Sequence, residues 1–208
     1  MSTNSTIGRY NKKTKKFEHL YVHFDGFLDH VGKILINNFT SSYNIEKIFQ
    51  GNIKSFDIVV DKDNVEKIVI DFFENDNGKE KIIQIDELKQ MKQSFKEYYY
   101  LNIKKQWFFS FNPIAGWALL TKDNLENLKI VMYETPTLSK ISTQPYNEKE
   151  EMKFRIKECE KFNIKLYDND ILEKYSETYI KDFNDFLIHL EQEKYGRLKK
   201  NQELNLIF

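Results

Sequence analysis

The apolar positions of this chain change period along its length, and each change marks an element. From Thr6 to Tyr10 and from Phe17 to Phe24, apolar and polar residues alternate around the polar run Asn11 to Lys16. A period of two is that of a strand with one buried face, so this stretch predicts a hairpin, closed by the Asp25-Gly26 break. Leu28, Val31, Leu35 and Phe39 then recur at three- and four-residue spacing, which predicts a helix over 28–39, and Ile45 to Gln50 reads as a second short helix ended by Gly51. Phe56 to Val60, Val65 to Phe73 and Lys81 to Ile85 are β-rich runs separated by polar turns, and they predict a β-meander. Asp86 is a suitable N-cap for a helix with the stripe Leu88, Met91, Phe95 and Tyr98. Trp107 to Phe111 and Gly116 to Leu120 predict a strand pair joined at Asn112-Pro113. Leu125 to Leu128 reads as helical and Ile130 to Tyr133 as a strand.

Two of the three prolines fall between Thr135 and Pro145, among Ser and Thr, which suits a linker. Beyond it the pattern is helical. Met152, Ile156, Cys159 and Phe162 share a face, Asn163 to Tyr167 suits a short strand, and Asp170 opens a long helix with Glu173 as its capping-box partner. Leu172, Tyr175, Tyr179, Phe183, Phe186 and Leu190 make its stripe. Carried to Lys200 it would span roughly 30 residues, about 45 Å at 1.5 Å per residue, although Gly196 can end it sooner. The pattern therefore predicts an α+β fold: an antiparallel sheet with packed helices over residues 1–134, and a helical C-terminal extension over 146–208. Part of the long stripe must pack on the body, since exposing all of it would leave a large apolar patch. Its distal residues Phe186, Leu190, Tyr195 and Leu198 are candidates for contact with a partner or a second copy of the chain; a wholly intramolecular helix is the alternative.

Composition narrows the class. A chain of 208 residues with 40% hydrophobic content, 17 Phe and 12 Tyr can bury a sizeable core. Its 32 Lys+Arg balance 32 Asp+Glu, so no global field draws it to nucleic acid or to an anionic membrane. The densest basic run, Lys12, Lys13, Lys15 and Lys16, reads as a solvated hairpin turn. The single cysteine, Cys159, excludes an internal disulfide and a cysteine zinc site. The first residues lack the pattern of a signal peptide, and no apolar run approaches membrane-spanning length, so a cytoplasmic protein is expected.

Candidate chemistry is sparse. His23, Asp25, Asp29 and His30 place four metal-capable groups in eight residues, which invites a metal or acid–base site. The plainer reading is a strand-to-helix turn whose carboxylates cap helix N–H groups. Glu87/Lys89 and Glu151/Lys153 have the local spacing of a nuclease site but fall on predicted helices. Tyr98-Tyr99-Tyr100 and Trp107 to Phe111, with Lys104 and Lys105 between them, can stack single-stranded bases, though such runs more often form core strands. No Gly-rich phosphate loop, nucleophile elbow or H-E-x-x-H motif is present, so no cofactor is expected.

Met1-Ser2-Thr3, Ser5-Thr6-Ile7-Gly8, Tyr21-Val22-His23-Phe24-Asp25-Gly26-Phe27 and Gly32-Lys33-Ile34-Leu35 resemble the start of a group of uncharacterised bacteriophage accessory proteins, over about the first quarter of the chain. That resemblance implies a viral origin and action on host machinery in the host cytoplasm. It carries no reaction. Three functions are then in view. The leading expectation is a non-enzymatic inhibitor that binds a host protein or ribonucleoprotein complex, such as a CRISPR-type immune effector. The second is a metal-dependent phosphodiesterase or nuclease centred on His23, Asp25 and His30. The third is a sponge for an anionic nucleotide signal, against which the charge balance argues.

Overall fold

Two strands of the expected N-terminal hairpin organise the sheet. The structure, a computed structural model, describes residues 3–62, 66–73, 82–91, 98–135 and 147–205, with side chains described as far as Tyr195. Strand β1 (Ser5–Asn11) pairs antiparallel with β2 (Lys16–Val22), Ser5 opposite Val22 and Asn11 opposite Lys16. On its other side β1 runs parallel to β6 (Tyr98–Ile103), which continues antiparallel through β7 (Gln106–Ser110), β8 (Trp117–Leu120) and β9 (Leu166–Tyr167). Strand β3 (Ile53–Val60) joins β2 through one parallel pair, Val22 with Ile53, and forms an antiparallel ribbon with β4 (Glu66–Phe72). Strand β5 (Ile83–Ile85) pairs with the first half of β2.

The α+β expectation holds, but the sheet is mixed rather than antiparallel. A parallel neighbour needs a crossover connection. Between β2 and β3 it is supplied by α1, which opens with a π-helical turn at Leu28–Gly32 and continues as Lys33–Asn38, and by α2 (Ser42–Ile48). The other helices are α3 (Lys122–Lys129), α4 (Glu148–Lys161), α5 (Asn169–Glu177) and α6 (Phe183–Asn205).

Helices cover both faces, which explains the unalternated apolar runs of the central strands. Tyr98, Tyr100, Trp107, Phe109, Ala118 and Leu120 face one core with α1, α2, α3 and Cys159 of α4. Tyr99, Leu101, Ile103, Phe108 and Trp117 face the other, against Leu172, Tyr175, Phe183 and Phe186 of α5 and α6. The segment after residue 146 thus supplies a strand and most of one covering layer. Its rings pack edge to face, Phe183 with Phe108 at 4.9 Å and with Tyr167 at 4.7 Å. Phe186 is fully buried here, so it is a core residue and leaves the set of candidate partner contacts.

Several expected elements are revised. The meander fails because β5 pairs with β2, whose first half is left open when β3 takes only its last residue. The helix expected from Asp86 is a 3-10 turn at Leu88–Met91, and Tyr98 begins a strand buried on both faces; Phe95 lies outside the described residues. Ile130–Glu134 is a π-helical turn, because the buried Arg155 guanidinium donates to the carbonyls of Val131 and Thr135. The N-cap of α5 is Asp168, which accepts from Ile171 N at 2.9 Å. Glu173 instead accepts from Leu88 N at 2.7 Å. The single long helix is two helices, α5 and α6, broken between Glu177 and Phe183.

Burial sets a first prediction. Phe183→Ala removes a fully buried ring and is expected to lower unfolding free energy by about 3–5 kcal/mol. Tyr195→Ala, at a residue 72% exposed, is expected to change it by less than about 0.5 kcal/mol. Denaturant titration of both variants checks the contrast.

Candidate anion-binding cleft

The break between α5 and α6 is made by a lysine from the sheet. Strands β6 and β7 are joined by the two-residue turn Lys104-Lys105, with φ of 53° and 73° and Ile103 opposite Gln106. Both values lie in the left-handed region, where hairpins ordinarily place Asn or Gly. Non-glycine residues there cost about 1–2 kcal/mol each. Contact offsets the strain at Lys104. Its ammonium crosses to the end of α5 and donates to Thr178 Oγ1 at 2.9 Å, to the Ile180 carbonyl at 2.8 Å and to the Tyr175 carbonyl. It also lies 4.2 Å from the centre of the Tyr175 ring. The last carbonyls of a helix lack intrahelical partners and carry partial negative charge, so a cation there satisfies and neutralises them together. The chain is then free to turn. Asp182 restarts it as α6, accepting from Asn184 N at 2.8 Å. Lys105, the second strained lysine, has no side-chain partner among the described residues.

Beside this corner lies a half-open cavity of about 760 Å³. Its cationic walls come from the β1–β2 turn (Lys12, Lys13), the β6–β7 turn (Lys104, Lys105), Arg9 of β1 and Lys181 of the α5–α6 corner. Glu46 of α2 is the one carboxylate among the described lining residues. Arg9 is already spoken for: it pairs with Glu18 at 2.9 Å and Glu46 at 2.8 Å and stacks on Phe49. Lys12, Lys13, Lys105 and Lys181 have no carboxylate partner among the described residues. The positive charge on these four side chains therefore has no acidic partner among the described residues. Burial, and then the nearby Lys12, push the Lys104 ammonium down to about 8 from an ordinary 10.5.

The lining also includes a buried amide. Asn102 of β6 is 95% buried; its Oδ1 accepts from Lys105 N at 3.3 Å, while its Nδ2 has no hydrogen-bond partner among the described residues. The Lys105 N–H fixes which end of the amide is which, so the orphan is a donor. A buried donor left unpaired costs about 1–3 kcal/mol. Asn102 is among the residues lining the cavity, but its Nδ2 is closed off from solvent, so an acceptor in the cleft would meet that donor only after the amide turns toward it.

The residues expected to form a site do not converge. The His23 ring meets the Tyr21 hydroxyl at 2.8 Å and packs on Phe24 and Phe73. His30 Nε2 lies 2.6 Å from the Phe56 carbonyl, and Asp29 pairs with Lys129 at 2.7 Å. Asp25 has a φ of 55° in the turn whose Gly26 N–H donates to Thr3 O. No group of three or more metal-capable side chains occurs among the described residues. Glu87 and Lys89 pair with each other, and Glu151 pairs with Arg155. The aromatic runs of β6 and β7 are core. Leu190 is half-buried against the second core, Tyr195 is exposed, and Leu198 lies among the residues whose side chains are not described. No helix among the described residues is long and apolar enough to cross a membrane.

The sequence pattern did not single out the cleft because its lysines occupy two turns about ninety residues apart, the first read as a solvated hairpin turn and the second as a link between two aromatic runs. The available signal was Lys104-Lys105 at the centre of a hairpin, where glycine or asparagine is ordinary. No protein-family model, curated protein or solved structure matches the chain.

The two turn lysines separate stability from function. Lys104→Ala strips the cap from α5 and is expected to lower unfolding free energy by about 1.5–3 kcal/mol, the range for hydrogen bonds to a charged group. Lys105→Gly relieves a left-handed φ and is expected to raise it by about 1 kcal/mol. Urea unfolding of the two variants tests the opposite signs.

Proposed function

We propose that this protein captures a small anionic ligand in the cleft between its two lysine turns, without chemistry on it. The observation that carries the reading is a cavity lined by Lys12, Lys13, Lys105 and Lys181, none of which has a carboxylate partner among the described residues. Zero net charge argued against an anion sponge, but the charge is segregated, and local field rather than total charge draws a ligand. Read with the phage-like N-terminal residues, capture would withhold an anionic signal from a host defence system.

A second reading is favoured by the β3–β4 ribbon. Beyond Ile53 no third strand flanks it among the described residues, and Ile58, Val59, Val60 and Val69 are about half exposed. A two-stranded ribbon is marginal alone in water. A host protein that adds a strand along β4 would cover it, which suits an inhibitor of a host complex. Val60→Lys would then lose the partner while the chain stays folded; unchanged partner binding would remove this reading.

For the cleft, calorimetric titration with tripolyphosphate is the direct test. Lys12→Glu with Lys181→Glu is expected to weaken binding by about tenfold or more, ~1.4 kcal/mol. Lys105→Gly should bind more weakly although it folds more stably. Affinity is also expected to fall as pH rises through about 8, because Lys104 then loses its proton in the folded chain. Stability moves the other way: between about 8 and 10.5 the unfolded chain holds a proton that the folded chain has released, so unfolding free energy rises with pH in that window. Tripolyphosphate binding that is absent, or unmoved by the charge reversals, would end the anion reading.

A further inference from the structure

We infer that the ligand of the cleft is a nucleoside phosphate whose base stacks on Tyr179, an inference that rests on the anion-capture reading and names its ligand. Tyr179 belonged to the expected core stripe, but the break after α5 turns it out of the core. Its relative exposure is 101%, the most of any large apolar side chain described, and it lines the cleft.

Full exposure does not leave its backbone free. The residues on either side both hold the Lys104 ammonium, Thr178 through Oγ1 at 2.9 Å and Ile180 through its carbonyl at 2.8 Å. The ring is therefore carried on a corner fixed by the sheet and stands at the rim of a cationic cavity. A base has a π-face that stacks on such a ring, and its phosphates need the cations beside it. A platform fixed beforehand spares part of the ordering cost of binding. Asn102 lines the same cleft, and its Nδ2 donor, once the amide turns toward the cavity, takes an oxygen acceptor such as a phosphate or a base carbonyl supplies. A cavity of about 760 Å³ falls within the usual range for small-molecule sites. Bare polyphosphate would use the cations and the amide and leave Tyr179 idle. The same phosphate-and-base chemistry is found on a free nucleotide and at the end of a single strand.

The test titrates the full chain and its Tyr179→Ala and Tyr179→Phe variants with ADP, with pyrophosphate and with a short single-stranded oligonucleotide. ADP is expected to bind about 5- to 100-fold tighter than pyrophosphate, the range of one base stacked on an aromatic ring. Tyr179→Ala should bring ADP down to the pyrophosphate value, and Tyr179→Phe should keep the difference. The oligonucleotide binding tighter than ADP, with the same dependence on Tyr179, assigns the base to a strand end. Equal binding of ADP and pyrophosphate, with Tyr179→Ala changing neither, overturns the base and leaves anion capture standing. No binding of any of the three probes overturns both.

Discussion

The parallel pairing of β1 with β6 decides where the charge of this protein goes. Parallel strands end at the same edge of a sheet, so the turn that follows β1 and the turn that follows β6 must lie side by side. The first turn carries Lys12, Lys13 and Lys15, and the second is Lys104-Lys105. Had the strands run antiparallel, the two lysine groups would sit at opposite ends of the sheet. Brought together they repel, and the Lys104 ammonium, pushed down first by its burial, is lowered further by Lys12 across the gap. A chain with no net charge thereby acquires a strongly cationic corner.

Lys104 then couples that corner to the C-terminal layer. By capping α5 it ends a helix that propensity alone would continue, and Asp182 restarts the chain as α6 at a new angle. That turn lets Phe183 and Phe186 fall onto the second face of the sheet, beside Tyr175 and Phe108. The same turn moves Tyr179 out to solvent. One ammonium thus joins a strained hairpin, a core layer and the lining of a cleft. At Lys105 the left-handed φ is held by its N–H, which donates to Asn102 Oδ1 at 3.3 Å, while its side chain has no partner among the described residues.

Local pattern carried much of the fold. The β1–β2 hairpin, the amphipathic start of α1, the Trp107–Leu120 strand pair and the apolar face of α4 were all readable, because each is a short-range period or a turn signal. What was not readable depends on partners far away in sequence. The parallel register of β1 and β6, the pairing of β5 with β2, and the helix break at Thr178 each require a contact spanning from about sixty-five to ninety residues. The helix stripe through Tyr179 was locally consistent and still failed, because a lysine some seventy residues earlier competes for the carbonyls that would have continued it. Nor did the histidine-rich turn make a site. Density of ligand types in sequence says little when a strand end and a helix start point them apart.

The central claim is that the two lysine turns and Asn102 form one anion site. Amide NMR of the isotope-labelled chain during titration with pyrophosphate tests it most directly. The Asn102 side-chain NH2 and the backbone amides of Lys12, Lys13 and Lys105 should shift together along a single saturating curve, while amides of the β3–β4 ribbon stay still. An Asn102 signal that does not move, or small unsaturating shifts at lysines over the whole surface, would contradict it.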